Sequence, residues 1–186
     1  MYKWKELADK VLNGYEINKE EALAILQSSD DEILNVMDAA FKIRKYYFGK
    51  KVKLNMIIST KTGHCPENCG YCAQSIDSTA QIEKYTMMTK EQIIAGAKRA
   101  HDLKSGTYCI VASGRGPTNR ELDVVTSAVK EIKKEYTDMR VCACLGILRD
   151  GQAEKLKAAG VDRYNHNLNT SKEHHSNITT SHTYDD

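Results

Sequence analysis

Apolar side chains recur every three or four residues along the first 49 positions, in a pattern typical of amphipathic α-helices. The three predicted helices comprise residues 4–12, 20–27 and 31–47. Asn18 is placed to cap the second helix, and Gly49 is placed to end the third. We therefore expect residues 1–50 to form a helical segment, to which the sequence assigns no chemistry.

From residue 51 onward, short apolar stretches alternate with helical patterns. The predicted strands are residues 52–60, 108–112, 140–146 and 161–169, and the predicted helices are residues 90–104, 119–136 and 152–159. Thr89 with Gln92, and Thr118 with Glu121, have the spacing of capping boxes at the first two helix starts. Alternating strands and helices imply parallel strands with right-handed crossovers. We therefore expect an α/β fold, either a doubly wound sheet or a barrel.

Three cysteines directly follow the first predicted strand, with the spacing Cys-x3-Cys-x2-Cys at Cys65, Cys69 and Cys72. Thiolates are soft ligands, and a loop this short can direct all three sulfurs to one iron–sulfur cluster. A cubane cluster has four irons, so one iron would remain open to a small molecule. In parallel α/β folds the ligand site forms at the carboxyl ends of the strands, which is where this loop lies.

Two other interpretations of the three cysteines were weighed. Structural zinc requires a fourth ligand, which His64 could supply, but its position directly before Cys65 would strain the coordination shell. A disulfide framework is typical of secreted proteins, and residues 1–5 do not resemble a signal peptide. The iron–sulfur interpretation is therefore favoured.

The composition is that of a globular protein, because 28% of the 186 residues are charged and 41% are hydrophobic. The net charge is +2, with basic and acidic residues interspersed, so we expect no nucleic-acid partner. The sequence shows no apolar run of the length that crosses a membrane. Six cysteines without a secretory signal indicate a reducing, cytoplasmic environment.

Three more cysteines lie on the predicted strands. Cys109 and Cys142, near the starts of neighbouring parallel strands, either bridge a metal or are ordinary buried thiols. Cys144 shares the strand face of Cys142, and we expect it to be a core residue.

Polar side chains mark the end of the fourth predicted strand. Three amides there alternate along the chain: Asn165, Asn167 and Asn169. They indicate either hydrogen bonding to a polar ligand or an amide ladder at a strand terminus. Three histidines follow in a polar tail: His174, His175 and His182. Their spacing is poor for metal binding, and we expect them to be solvated.

The cysteine motif resembles the signature of the radical S-adenosylmethionine (radical SAM) enzymes, and residues 65–75, CPENCGYCAQS, more narrowly resemble the biotin synthases. The resemblance implies a (β/α)8 barrel and a [4Fe–4S] cluster held by Cys65, Cys69 and Cys72. S-adenosyl-L-methionine would chelate the open iron, and an electron would cleave it to a 5′-deoxyadenosyl radical. The implied reaction is sulfur insertion into dethiobiotin, which forms biotin in the last step of its biosynthesis.

The same resemblance implies roles for residues outside the cysteine motif. Cys109 and Cys142 match ligands of a second, [2Fe–2S] cluster, the sulfur donor, whose remaining ligands, a Cys and an Arg, lie on later strands. Tyr71 matches a residue that packs near the adenine. Asn167 and Asn169 match contacts to S-adenosylmethionine, and the matches to substrate contacts are Asn165 and Asn167. The family also implies an electron-donating flavodoxin or ferredoxin and a homodimer.

Residues 51–186 supply only about four of the eight barrel units, since a full barrel takes roughly 250 residues. We therefore expect a fragment, in which the helical segment 1–50 precedes the first half of a barrel domain, 51–186, and which is incomplete for activity by itself. Two other functions remain open. The chain is another radical SAM enzyme, or it is a truncated, non-catalytic iron–sulfur-binding remnant.

Overall fold

The structure is a computed structural model that describes residues 2–186, so Met1, the first residue of the segment tested for a signal peptide, lies outside it. By its internal contacts the chain divides into two units, Met1–Val52 and Lys53–Asp186. The assignment of residues 1–50 and 51–186 to separate domains stays a prediction. No helix within residues 2–186 has the length and apolar character needed to cross a bilayer.

The first unit consists of three α-helices at the predicted positions. They are α1 (Tyr2–Leu12), α2 (Lys19–Leu26) and α3 (Ile33–Phe48), with a short 3₁₀ turn at Asp30–Glu32 before α3. The Asn18 side chain caps α2 by accepting a hydrogen bond of 2.8 Å from the backbone N–H of Glu21, as the sequence predicted. Trp4 and Ala8 of α1 pack with Ala39 of α3 and form a small core.

The second unit alternates strands with helices around one parallel sheet, which confirms the predicted α/β class. Its strands are β1 (Asn55–Lys61), β2 (Thr107–Ala112), β3 (Arg140–Cys144) and β4 (Arg163–Tyr164), in the spatial order β1-β2-β3-β4. Its helices are α4 (Lys90–Asp102), α5 (Asn119–Glu135), α6 (Gln152–Ala159) and α7 (His175–Ile178). Both predicted capping boxes are present, at Thr89 for α4 and at Thr118 for α5.

The hydrophobic core of the second unit lies between the helices and one face of the sheet. Successive side chains of a strand point to opposite faces, so Tyr108 and Ile110 are buried under the helices while Cys109 lies on the other face. Helix α5 contributes a buried stripe made of Leu122, Val125, Val129 and Ile132. On the face opposite the helices, the side chain of Ile57 is 69% exposed.

The fourth strand is much shorter than the predicted range of 161–169. β4 lies at the edge of the sheet and pairs on one side only, and its ladder ends where the backbone N–H of Asn165 donates to the carbonyl of Ala143. Asn169 has a φ of 67°, which a strand residue cannot adopt. The alternation of apolar and amide side chains therefore predicted a longer strand than the one that forms. Beyond Tyr164 the segment does not continue as a strand. β1 likewise begins at Asn55, three residues later than predicted.

The carboxylate of Asp162 joins β3, β4 and α5, and it yields a pH-dependent prediction. Its Oδ2 accepts hydrogen bonds from the N–H of Val141, at 2.7 Å, and from the ammonium of Lys133, at 3.0 Å. Burial raises the pKa of Asp162, but these two donors outweigh it and hold the pKa below its usual value. Because Asp162 is 36% exposed, we expect Asp162→Asn to cost only about 1 kcal/mol of unfolding free energy at pH 7.

A group whose pKa is lowered by folding stabilises the protein above its unfolded pKa, which is about 3.9 for Asp, and loses that contribution as the pH falls through the folded pKa. Urea unfolding at several pH values should therefore show the Asp162→Asn deficit at pH 7 and its progressive loss as the pH falls below about 4. Asp123→Asn is the matched control, because its 3.6 Å pair with Lys155 is largely exposed. An equal deficit in both variants, or one that does not shrink below about pH 4, would contradict this account.

Candidate metal centre

The cysteine loop leaves the carboxyl end of β1 and is closed at its base by a backbone pair. The N–H and carbonyl of Thr62 exchange two 3.1 Å hydrogen bonds with those of Tyr85. Just before this pair, the ammonium of Lys61 lies 2.8 Å from a carboxylate oxygen of Glu121 on α5, and both side chains are largely buried. These contacts fix the base of the loop to the sheet and to α5.

The three thiols of the loop are free and partly buried, and polar groups of the chain lie beside each of them. The sulfur of Cys72 accepts a hydrogen bond of 3.4 Å from the N–H of Gln74. Burial raises the pKa of the Cys65 thiol, while the backbone N–H groups of Glu67 and Gly114 favour its thiolate. Backbone N–H groups directed at sulfur are typical of thiolates that hold an iron–sulfur cluster.

The loop also encloses space beside its sulfurs. A cavity of about 540 Å³ is lined by Cys69, Tyr71, Cys72 and neighbouring loop residues. In the part of the chain that the structure describes, no three His, Cys, Asp or Glu side chains converge as ligands of a single ion would. A cubane cluster takes each thiolate on a different iron, so its ligands stand apart. The three-thiol donor set fits such a cluster, and the cavity lies beside two of the three sulfurs, those of Cys69 and Cys72. His64, the residue weighed as a zinc ligand, is exposed.

Two of the predicted cofactor-binding residues are neighbours, and one of them, Tyr71, lines this cavity. The phenol of Tyr71 lies beside the Cys69 thiol and the side chain of Asn169, and its ring remains 59% exposed. Partial burial and the neighbouring Cys69 raise the pKa of Tyr71 to about 12, so the phenol is neutral at physiological pH. Asn165 and Asn167 are exposed on the same segment. Their roles toward a ligand stay predictions.

Cys109 and Cys142 are direct partners in the parallel register of β2 and β3. They share the sheet face opposite the helices, so their thiols are neighbours. Burial, and then the proximity of Cys142, raises the pKa of the Cys109 thiol. Cys144 was predicted to be a core residue, but the structure leaves it only partly buried on this same face, because the helices cover the other one. A metal role for the pair stays a prediction.

A clamp on the cysteine loop could not be found from the sequence. The side-chain Oδ1 of Asn68 accepts hydrogen bonds from the backbone N–H of Thr180, at 3.0 Å, and of Ser181, at 3.1 Å. The N–H of Gly70 donates to the carbonyl of Ile178 at 2.8 Å. Residues 178–182, which we call the clamp segment, thus hold the loop from more than 100 positions away in the sequence.

Glu67, in the cysteine loop, is the charged residue that the clamp segment contacts. Its carboxylate is buried and accepts hydrogen bonds from the hydroxyl of Ser181, at 2.7 Å, and from Nδ1 of His182. Arg115, in the loop after β2, donates to the carbonyl of Ser181 at 2.6 Å and lies 3.6 Å from the Glu67 carboxylate. Burial raises the pKa of Glu67, but these donors outweigh it and hold the pKa below its usual value.

The prediction of a solvated histidine tail was therefore wrong for two of its three members. His182 contacts Glu67, and His175 is only 6% exposed, with its ring packed edge-on against that of His182 at 5.2 Å between centroids. His174 is exposed as predicted. The partners of the two buried rings are distant in sequence, so no local pattern indicated them.

Comparison with known proteins places this site in a family. Residues 59–186 match the model of the radical SAM superfamily. The chain belongs to this superfamily. Membership confirms the resemblance of the cysteine motif, and it implies a [4Fe–4S] cluster and S-adenosylmethionine as cofactors of the radical SAM site.

Within the radical SAM superfamily, the chain is similar to curated biotin synthases. The chain is 65% identical over all 186 residues to a biotin synthase of Bacillus licheniformis and covers 56% of it. It is 64% identical to a biotin synthase of Bacillus subtilis strain 168, of which it covers 55%. The chain thus spans about half the length of the curated relatives it matches.

Solved structures support the fold. Methylornithine synthase superposes with a TM-score of 0.81 at 21% identity, over 96% of this chain and 52% of that one. The hydrogenase maturase HydG gives a TM-score of 0.71 at 21% identity, over 98% of this chain and 40% of that one. The four parallel β/α units therefore have the architecture of part of a radical SAM barrel.

Proposed function

We propose that this chain is the N-terminal half of a biotin synthase, a radical SAM enzyme that inserts sulfur into dethiobiotin and forms biotin. The observation that carries the proposal is the 65% identity to a biotin synthase over every residue of the chain. The cysteine loop adds the donor set that the chemistry requires, because a C–H bond of this kind resists acid–base catalysis and needs a cofactor-derived radical.

In this proposal Cys65, Cys69 and Cys72 hold the [4Fe–4S] cluster. When bound, the cluster supplies the electron that cleaves S-adenosylmethionine to a radical. The exposed ring of Tyr71 offers a stacking surface for the adenine at the rim of the cavity. Asn169 lies beside Tyr71 and orients its phenol, so that one carboxamide and one ring act on the same ligand.

The open face of the sheet carries the second part of the proposal. Cys109 and Cys142, as register partners, supply two thiols to a [2Fe–2S] cluster that donates the sulfur atom. Burial raises the pKa of the Cys109 thiol and so disfavours its thiolate, and metal binding there releases its proton. Asn165 and Asn167, exposed at the end of β4, can donate and accept hydrogen bonds with dethiobiotin.

The relatives and the resemblance extend the proposal to partners. S-adenosylmethionine is the co-substrate, a flavodoxin or ferredoxin donates electrons, and the complete enzyme is a cytoplasmic homodimer. A second candidate, binding of the [4Fe–4S] cluster without turnover, is favoured by one observation, that the chain spans about half of its relatives. Another radical SAM reaction on this site is the third.

Anaerobic reconstitution with iron and sulfide, in the presence of the C-terminal half of the Bacillus subtilis relative, followed by incubation with S-adenosylmethionine, dithionite and dethiobiotin, separates these candidates. Formation of 5′-deoxyadenosine that depends on dethiobiotin, together with biotin, is the result expected for biotin synthase. Cleavage without biotin would assign another radical SAM reaction, and cluster formation without cleavage would assign the binding remnant. Absence of a cluster would contradict all three.

A further inference from the structure

A buried hydroxyl contacts one sulfur of the cysteine loop. Thr179, in the clamp segment, is only 3% exposed. Its Oγ1 lies 3.7 Å from the Sγ of Cys69, 3.0 Å from Oδ1 of Asn68 and 3.1 Å from Oγ of Ser181. The sulfurs of Cys65 and Cys72 interact instead with backbone N–H groups. Among the three loop cysteines, Cys69 is therefore the one whose sulfur meets a buried side-chain hydroxyl, in addition to the exposed phenol of Tyr71.

The atoms around the Thr179 hydroxyl determine where it can donate. A hydroxyl has one hydrogen to give, and three atoms surround Oγ1 of Thr179. Oδ1 of Asn68 already accepts two backbone N–H groups, from Thr180 and Ser181, so it remains satisfied without Thr179. Oγ of Ser181 accepts a hydrogen bond of 3.1 Å from the backbone N–H of Asn68, so it too has a donor without Thr179.

The sulfur of Cys69 changes from a hydrogen-bond donor to an acceptor when it binds iron. In the metal-free protein its S–H can donate to the oxygen of Thr179. An iron-bound thiolate has no hydrogen, so its sulfur can only accept, and its negative charge makes it a stronger acceptor than a neutral oxygen. A hydroxyl can rotate about its C–O bond without moving its oxygen, so the donor and acceptor roles can exchange in place.

We propose that Thr179 donates its hydroxyl hydrogen to the sulfur of Cys69 in the iron-bound loop, and that this hydrogen bond raises the reduction potential of the cluster. The proposal rests on the proposed function, because it requires the cluster on Cys69. Reduction adds negative charge that spreads onto the ligand sulfurs, and a hydrogen bond to sulfur stabilises that charge. Thr179 is thus a positioning residue that makes the cluster easier to reduce.

The test is a redox titration of the reconstituted [4Fe–4S] cluster, followed by electron paramagnetic resonance, on four proteins. Thr179→Val keeps the side-chain shape but removes the hydroxyl, and Thr179→Ser keeps the hydroxyl. Thr180→Val is the matched control, since the hydroxyl of Thr180 accepts a hydrogen bond of 2.7 Å from Nδ2 of Asn68. Iron and sulfide are quantified first on every protein.

The expected result is equal iron content in all four proteins and a more negative potential in Thr179→Val alone. At a fixed potential, the ratio of reduced to oxidised cluster should fall roughly three- to tenfold in that variant, as for loss of one charge-assisted hydrogen bond. Failure of the unaltered chain to assemble the cluster would contradict the proposed function. A cluster that assembles in Thr179→Val with an unchanged potential would overturn only the role of Thr179.

Loss of iron in Thr179→Val has its own check. Thr179→Ala removes the hydroxyl without placing a methyl group against the sulfur. The same redox titration is carried out on this variant. A negative shift in Thr179→Ala supports the proposal. Loss of iron in both variants, with normal iron in Thr179→Ser, would assign the hydroxyl to folding of the loop and overturn its assignment to the potential.

Discussion

Replacing Cys69 by alanine is expected to abolish the [4Fe–4S] cluster. In the proposed site each of the three loop thiols binds a different iron of a cubane and the fourth iron has no protein thiolate, so loss of one ligand would leave only two. Cys69 also lies centrally in the loop, three residues from Cys72 and four from Cys65. We expect about four irons per chain at this site in the unaltered protein and essentially none in the variant.

Anaerobic iron and sulfide quantitation with Mössbauer spectroscopy measures this directly. Cys144→Ala is the matched control, because Cys144 is a partly buried thiol on β3 and outside the loop. Its [4Fe–4S] signal should equal that of the unaltered chain. A [4Fe–4S] signal that survives in Cys69→Ala, or zinc in place of iron in the unaltered chain, would contradict the assignment of the loop.

Gly146→Ala is expected to destabilise the second unit severely and to displace the loop that serves Cys65. Gly146 has a φ of 90°, and a Cβ there would lie 2.4 Å from the carbonyl oxygen of Arg115 and 2.7 Å from that of Gly114. Both contacts are to backbone, which cannot swing aside as a side chain does. The N–H of Ile147 also donates to the carbonyl of Arg115 at 2.6 Å, so the two segments are tied together.

The expected cost is the left-handed backbone strain, about 1–2 kcal/mol, plus the steric overlap, for a total above about 3 kcal/mol in urea unfolding. Gly151→Ala is the matched control, since Gly151 has a φ of 78° and no atom within 4 Å of an added Cβ. It should show the strain alone. Because Gly114 supplies an N–H to Cys65, reconstituted Gly146→Ala should also hold less iron than the control. Equal unfolding free energies for the two variants would show that the backbone at Gly114 and Arg115 can move away from an added Cβ at Gly146.

Local sequence predicted those features whose causes are local. The capping boxes at Thr89 and Thr118 depend on side chains three positions apart, and both are present where the spacing indicated. The strand-loop-helix alternation predicted parallel pairing, since a helix that crosses back over the sheet starts the next strand at the same end as the previous one. The cysteine spacing identified the loop because its ligands must come from a few neighbouring residues.

The ends of strands were predicted less well than their existence. β4 stops at Tyr164, although alternating side chains continue to Asn169, because a strand needs a partner as well as a pattern. The buried His175 and the partly buried Cys144 show the same limit. Burial depends on which elements cover a face, and neither residue's neighbours in the sequence contain that information.

The sequence by itself therefore determined the α/β alternation, the helix caps and the position of the cysteine loop after the first strand. Only the tertiary structure decided that Cys109 lies opposite Cys142, and that Asn68 and Glu67 are held by the clamp segment. The physical reason is range. Periodicity and capping act over three or four residues, whereas the hydrogen bonds between Asn68 and Thr180 join positions 112 apart, which only the folded chain brings together.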